Sequence, residues 1–237
     1  MAIDPGEDIV ASDFVSASAG AGDEGKVPKL NAIGKLDNSF NGEPDPIVRL
    51  YTSNDTWSKP AGLKYIEVET QAGGGGAGSS GPSTNDAAAG AGAGGYARKL
   101  IPAASLGANE TVTVAAAGVG GISGNGTNGG NSSFGSHLSA NGGSLSTRAS
   151  STPGDGGTAT GGDINIPGQD GGLKASAISG FGGSSMLGFG GRQVSGAAQG
   201  KVGKGYGSGG SGGSNSGGEQ NGGAGTQGIV IVIEHYL

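Results

Sequence analysis

The chain has 237 residues, 57 of them glycine, with 33% apolar and 5% aromatic residues, so a conventional side-chain core occupies only part of it. Its net charge is −6 and its 13 Lys and Arg are scattered rather than gathered in a stripe, which argues against nucleic-acid binding. The absence of cysteine excludes disulfides, thiolate metal sites and cysteine nucleophiles, and the longest apolar run, Ile229 to Ile233, is far too short to insert across a bilayer.

Residues 1–45 read as a polar leader, for attachment or strand exchange, with short apolar clusters at Ile9-Val10, Phe14-Val15 and Val27 to Ile33. Gly25 to Asp37 predicts two short extended pieces around an Asn31-Ala-Ile-Gly34 turn. The first residues lack the positive region and apolar stretch of a secretory signal, so action outside a cell implies another route of release, such as lysis.

A second unit, residues 46–237, starts with β structure. Ile47 to Thr52 is rich in strand formers, Ser53-Asn54-Asp55 is turn chemistry, and Lys59-Pro60-Ala61-Gly62 fits a tight turn. Leu63 to Thr70 nearly alternates, with Ile66 and Val68 on one face and Leu63, Tyr65, Glu67 and Glu69 on the other; which face is buried is open at this point. Shorter strands are predicted near 96–101 and 110–116. The apolar closing strand, 228–236, has the pattern of a central strand and is placed beside 63–70.

Seven glycines precede residue 73, fifty fall within residues 73–228, and none follow. Such a block reads by default as a flexible linker. A linker of this length would separate strands that need one another for a core, and apolar residues from Leu106 to Tyr206 recur inside it. Collagen is excluded, since glycine keeps no phase of three and proline is scarce. The remaining expectation is a bundle of polyglycine II helices: three residues per turn, no bonds within one helix, and N–H and C=O groups pointing sideways to neighbours. Each lateral bond returns about 0.5–1.5 kcal/mol against backbone entropy of roughly 1–2 kcal/mol per residue. The bundle therefore needs a β-framework or partner subunits to clamp it. Chain reversals are expected at Asn128-Gly129, Asn141-Gly142, Pro153-Gly154, Asp155-Gly156 and Asp170-Gly171. The fold class is all-β with little or no helix.

Three phrases carry a resemblance: Asn54 to Val68 followed by Ala72 to Gly76, Asn131 to Gly143, and Gly225 to Tyr236. They resemble, in order, the opening, the internal "S-F-G-x-x-L-S-A-x-G-G" phrase and the closing strand of the glycine-rich C-terminal domain of phage tail-fibre and tail-tip adhesin proteins. The resemblance implies a virion tail component or extracellular filament. It also implies receptor contact by loops joining polyglycine II layers. This chain lacks the long shaft of a complete tail fibre. A tip adhesin, a minor tail protein and a self-assembling filament subunit all remain open.

Apparent catalytic motifs are products of the glycine content. Gly209-Gly-Ser211-Gly-Gly213 lacks the strand and helix of a nucleophile elbow. His137 and His235 are far apart in sequence, and Asp155, Asp163 and Asp170 lack the calcium β-roll repeat. Neither an enzyme, a metal site nor a cofactor is expected. Trp57, Tyr65 and Ile231 read as structural anchors. Phe181, Met186, Leu187 and Phe189, with Tyr206, are candidates for an adaptable receptor-contact surface on glycine hinges, with packing between polyglycine layers as the alternative reading. The expected partners are a bacterial surface receptor, glycan or outer-membrane protein, or other tail proteins, and further copies of the chain in a homo-oligomer; nucleic acid and membrane insertion are not expected.

Overall fold

The structure is a computed structural model that describes residues 45–236, together with strands β1 (Phe14–Val15) and β2 (Val27–Pro28), which pair in parallel. The turn expected at Asn31 to Gly34 and the strand-exchange segment 1–20 lie outside the described residues, apart from β1. The described part is all-β, with one short 3₁₀ turn at Ala103–Ser105.

Two five-stranded antiparallel sheets form a sandwich. One contains β3 (Ile47–Tyr51), β5 (Leu63–Gln71), β7 (Tyr96–Pro102), β12 (Ile164–Ile166) and β16 (Ile229–Tyr236), in the order β12-β7-β5-β16-β3. The closing strand does pair with β5, and also with β3. The other contains β4 (Asp55–Ser58), β8 (Asn109–Thr113), β9 (Ser132–Phe134), β10 (Leu138–Ala140) and β11 (Ala159–Thr160), in the order β11-β10-β9-β8-β4. Between the sheets lie Trp57, Ile66, Val68, Ile101, Val112, Phe134, Leu138, Val230 and Val232. The inward face of β5 is thus the Ile66/Val68 face. The register between β5 and β16 slips between Tyr65↔His235 and Leu63↔Tyr236, and this bulge at Lys64 returns Leu63 to the core.

Glu234 is fully buried on the core face of β16. Its Oε1 accepts from Trp57 Nε1 at 2.8 Å and Arg49 Nε at 2.6 Å, and its Oε2 accepts from the Tyr236 hydroxyl at 2.7 Å. Burial by itself pushes this carboxyl up, but the bonds from Arg49, Tyr236 and Trp57 outweigh it and hold the group below the usual carboxylate range. Because Trp57 belongs to one sheet and Arg49 and Glu234 to the other, this cluster locks the sheets together.

The glycine block leaves one end of the sandwich as runs of backbone outside any strand. Their N–H groups go to neighbouring runs with a period of three. Gly73, Gly76 and Ser79 donate to Gly130, Thr127 and Gly124, whereas Gly74, Ala77 and Ser80 donate to Thr226, Gly223 and Gln220. Ala72 and Gly75 donate to Gly95 and Gly92. Run 72–81 also accepts bonds from runs 114–121, 141–149 and 207–213, so six neighbours surround it. Runs 88–95 and 207–213 are each surrounded by six in the same way. These three runs contain only Gly, Ala and Ser and are buried throughout. The peripheral runs carry the larger side chains.

At the periphery, side-chain oxygens replace backbone acceptors. Asn125, Asn128 and Asn131 accept through Oδ1 from the N–H groups of Arg148, Leu145 and Gly142, again with a period of three. Asp170 Oδ1 accepts from Gly156 N–H. This corrects the expected reversals. Asn128-Gly129, Asp155-Gly156 and Asp170-Gly171 lie within runs, and Asn141-Gly142 and Pro153-Gly154 begin runs. The side chains of Asn128, Asn141 and Asp170 serve lateral bonding rather than turn formation.

Candidate binding surfaces

Eight runs join directly to strands β5, β7, β8, β9, β10, β11, β12 and β16 at the sandwich end of the bundle. The opposite end is closed by six turns, at residues 82–87, 122–123, 149–152, 175–178, 195–198 and 214–218. Each holds one residue at positive φ: Asn85 (63°), Ser123 (47°), Ala149 (55°), Ser176 (43°), Gly196 (73°) and Gly218 (149°). All the positive-φ residues other than glycine among the described residues are in this set. Elsewhere the same conformation is taken by Gly62, Gly135, Gly161, Gly205 and Gly207. A side chain at positive φ costs of the order of 1 kcal/mol relative to glycine. In a chain so rich in glycine, four of the six distal turns nevertheless carry one.

These turns brace one another. β6 (Asp86–Ala87) pairs with β15 (Ser214–Asn215), and single bridges join Ala198 to Ser214, Ile178 to Ser195 and Ala175 to Ile178. Lys174 Nζ lies 2.6 Å from Asp86 Oδ1 and donates to the Ala149 carbonyl, tying three turns. Burial pushes the Asp86 carboxyl up, but the bond from Lys174 outweighs it with help from the Ala87 N–H, and the net shift is downward. Arg148 grips Glu219 bidentately at 2.7 and 2.8 Å, and the Arg148 bond holds the Glu219 carboxyl below its usual range. Ile122 stands 77% exposed at this end.

The sequence-derived contact residues divide. Met186 and Leu187 precede β13 (Gly188–Phe189), which pairs with β14 (Lys204–Gly205), so Met186, Leu187, Phe189 and Tyr206 share one hairpin beside the sandwich end of the bundle. Ser185 Oγ donates to the Tyr206 carbonyl and pins the hairpin. Phe189 is 76% exposed and Met186 is also exposed. Phe181 is elsewhere: it sits on run 179–184, its ring against Gly172 and its carbonyl accepting from Gly172 N–H.

Of the anchors, Trp57 is in the core, its ring 5.6 Å from that of Phe134. Tyr65 and Ile231 are on the outer face of the β12-β7-β5-β16-β3 sheet, where Tyr65 stacks on His235 at 4.3 Å. Val48, Leu50, Leu100 and Ile164 are exposed on that sheet. His137 Nε2 lies 3.2 Å from Glu110 Oε1 beside the β9–β10 turn, bridging β8 to that turn. Among the described residues no group of three or more His, Cys, Asp or Glu is placed to hold a metal ion, and no helix is long and apolar enough to cross a membrane. Sequence reasoning missed the distal turns as a set. Their residues, such as Ser123, Ala149 and Ser176, look unremarkable in the chain, and only the direction of each run brings them to one end.

No curated protein matches the chain. The model of a family described as glycine-rich domain matches residues 50–233, from within β3 to within β16, and the chain belongs to that family.

Proposed function

We propose that this protein is a tail-fibre-like structural and receptor-binding module, in which the glycine block packs as polyglycine II helices and holds the distal turns rigidly toward a bacterial surface. The observation that carries this reading is the set of left-handed turns in which Asn85, Ser123, Ala149 and Ser176 occupy positions that favour glycine. Retaining side chains there at an energetic cost fits a surface selected for contact rather than for stability. The period-three lateral bonding supports the helix assignment. The three tail-fibre-like phrases in the sequence support the setting on a virion tail.

Adsorption competition with purified protein tests the reading. The protein is expected to block phage adsorption to host cells, and a variant carrying Ser123→Gly, Ala149→Gly and Ser176→Gly is expected to melt higher yet compete less. Failure to bind any host cell, or full competition by the glycine variant, refutes the distal contact.

A second reading is a self-assembling filament subunit. It is favoured by β3, which is an edge strand among the described residues and where Val48 and Leu50 are 57% and 64% exposed directly after the leader. Electron microscopy of purified protein separates the two: filaments that persist after deletion of residues 1–20 leave assembly standing but remove strand donation by that segment.

A further inference from the structure

Cations elsewhere in the described residues are engaged: Arg49 with Glu234, Arg98 with Glu67, Arg148 with Glu219, Lys174 with Asp86, and Lys59 and Lys99 with backbone carbonyls. Arg192, Lys201 and Lys204 are exposed, and among the described residues their side chains make no hydrogen bond or ion pair. All three lie on one flank of the bundle. Runs 190–194 and 199–203 flank run 207–213 as neighbours, and Gly191 abuts the Lys201 carbonyl. Lys204 pairs with Phe189 in the hairpin below. No Asp or Glu occurs between Lys174 and Glu219, and Glu219 is committed to Arg148 and Ser79. A chain with net charge −6 thus carries, among the described residues, a flank whose runs 190–194 and 199–203 bring cations and no carboxylate.

That flank is shaped. Arg192 and Lys201 line a single open cleft of about 450 Å³ together with Ile178, Gln193 and Ser195. Ile178 and Ser195 belong to the distal turns, so the cleft opens at the distal end of run 199–203, and Phe189 stands at the other end of that run, paired with Lys204. At about 3.1 Å per residue that run spans on the order of 15 Å, enough for several sugar units.

We infer that this flank binds an anionic polysaccharide, with Arg192 and Lys201 holding its carboxylate or phosphate groups and Phe189 packing against a sugar ring. This inference takes its biological setting from the receptor-binding reading and names a ligand class for it. Exposed cations without internal partners pay no cost to release one before binding an anion. The amide of Gln193 offers both a donor and an acceptor to hydroxyls, and the exposed phenyl face suits the C–H face of a pyranose. Nucleic acid fits less well. DNA presents a charge about every 1.7 Å, whereas three cations on an acidic protein neutralise few of them.

The test measures binding of the full chain to polygalacturonate, dextran phosphate, neutral dextran and a DNA duplex by calorimetry. Binding to one or both acidic polysaccharides and not to dextran is expected, and the two acidic arms separate carboxylate from phosphate recognition. Arg192→Gln with Lys201→Gln is expected to weaken that binding at least about tenfold. Phe189→Ala, which leaves the charge unchanged, is expected to weaken it several-fold. Since these residues are exposed, thermal melts of the variants should match the parent. Equal binding to neutral dextran, unchanged affinity of the double variant, or DNA bound as tightly as polysaccharide overturns the inference. Adsorption to cells without polysaccharide binding overturns this inference alone; polysaccharide binding without adsorption sustains it and overturns the adhesin reading.

Discussion

Gly90 shows how little room the lattice leaves at a single residue. A Cβ there would overlap the carbonyl oxygen of Phe181, which is backbone and cannot swing away, whereas a Cβ at Gly217 meets nothing within 4 Å. Gly90→Ala is therefore expected to prevent cooperative folding of the bundle and Gly217→Ala to leave the melting temperature within about 2 °C, as thermal denaturation would show. Glu234 is the corresponding polar case. Its carboxyl is held below the ordinary range by Arg49, Tyr236 and Trp57, so the stability it contributes is present above the unfolded pKa of about 4.3 and is lost as pH falls through the lower folded value. Asp86 shifts in the same direction. Stability should hold from neutrality down to about pH 5 and then fall. Glu234→Gln should cost roughly 1–3 kcal/mol at neutral pH and make the acid limb of a denaturation series shallower; a series with the same slope for both proteins would contradict that role.

Among the elements, the asparagine ladder on run 124–131 connects sequence to lattice most directly. Asn125, Asn128 and Asn131 recur at the period of the lateral bonds, so that every third residue of the run meets the same neighbour. Asn128→Ala should leave the Leu145 amide exchanging faster with solvent and cost about 0.5–1.5 kcal/mol, and hydrogen exchange read at that amide is the measurement. If exchange were unchanged, the ladder would be incidental. Strands with long apolar or alternating runs were legible: those predicted at 47–52, 63–70, 96–101 and 228–236 match β3, β5, β7 and β16 to within a residue or two. The last four strands of the second sheet, β8 to β11, were legible only in part. Residues 110–116 match β8 with a shift, but β9 and β10 each span three residues with one large apolar side chain, too short for alternation to register.

For the molecule as a whole, small residues and large ones sort by lattice position. Runs 72–81, 88–95 and 207–213 are limited to Gly, Ala and Ser because six neighbours approach each of them, while runs with an open side carry Val119, Leu173, Val202 and the charged residues. Introducing one large side chain into an interior run, for example Ala91→Leu, should be far more damaging than Val202→Leu on the periphery; expression and melting of the two variants compare them directly.

Composition and pattern alone determined the all-β class of the described residues, that the glycine block lies between strands that pair, and that the block could be ordered only by lateral backbone bonds. These follow from local chemistry: strand propensity, and the ability of glycine to let backbones meet. The direction of each run, the identity of the three interior runs, the shared end of the distal turns and the cationic flank were decided only by the tertiary structure. A period of three is the same for every run, so it says that neighbours bond but not which neighbours they are. That choice is made by all the runs together, and it is what gathers Ser123, Ala149 and Ser176 at one end and Arg192 and Lys201 on one side.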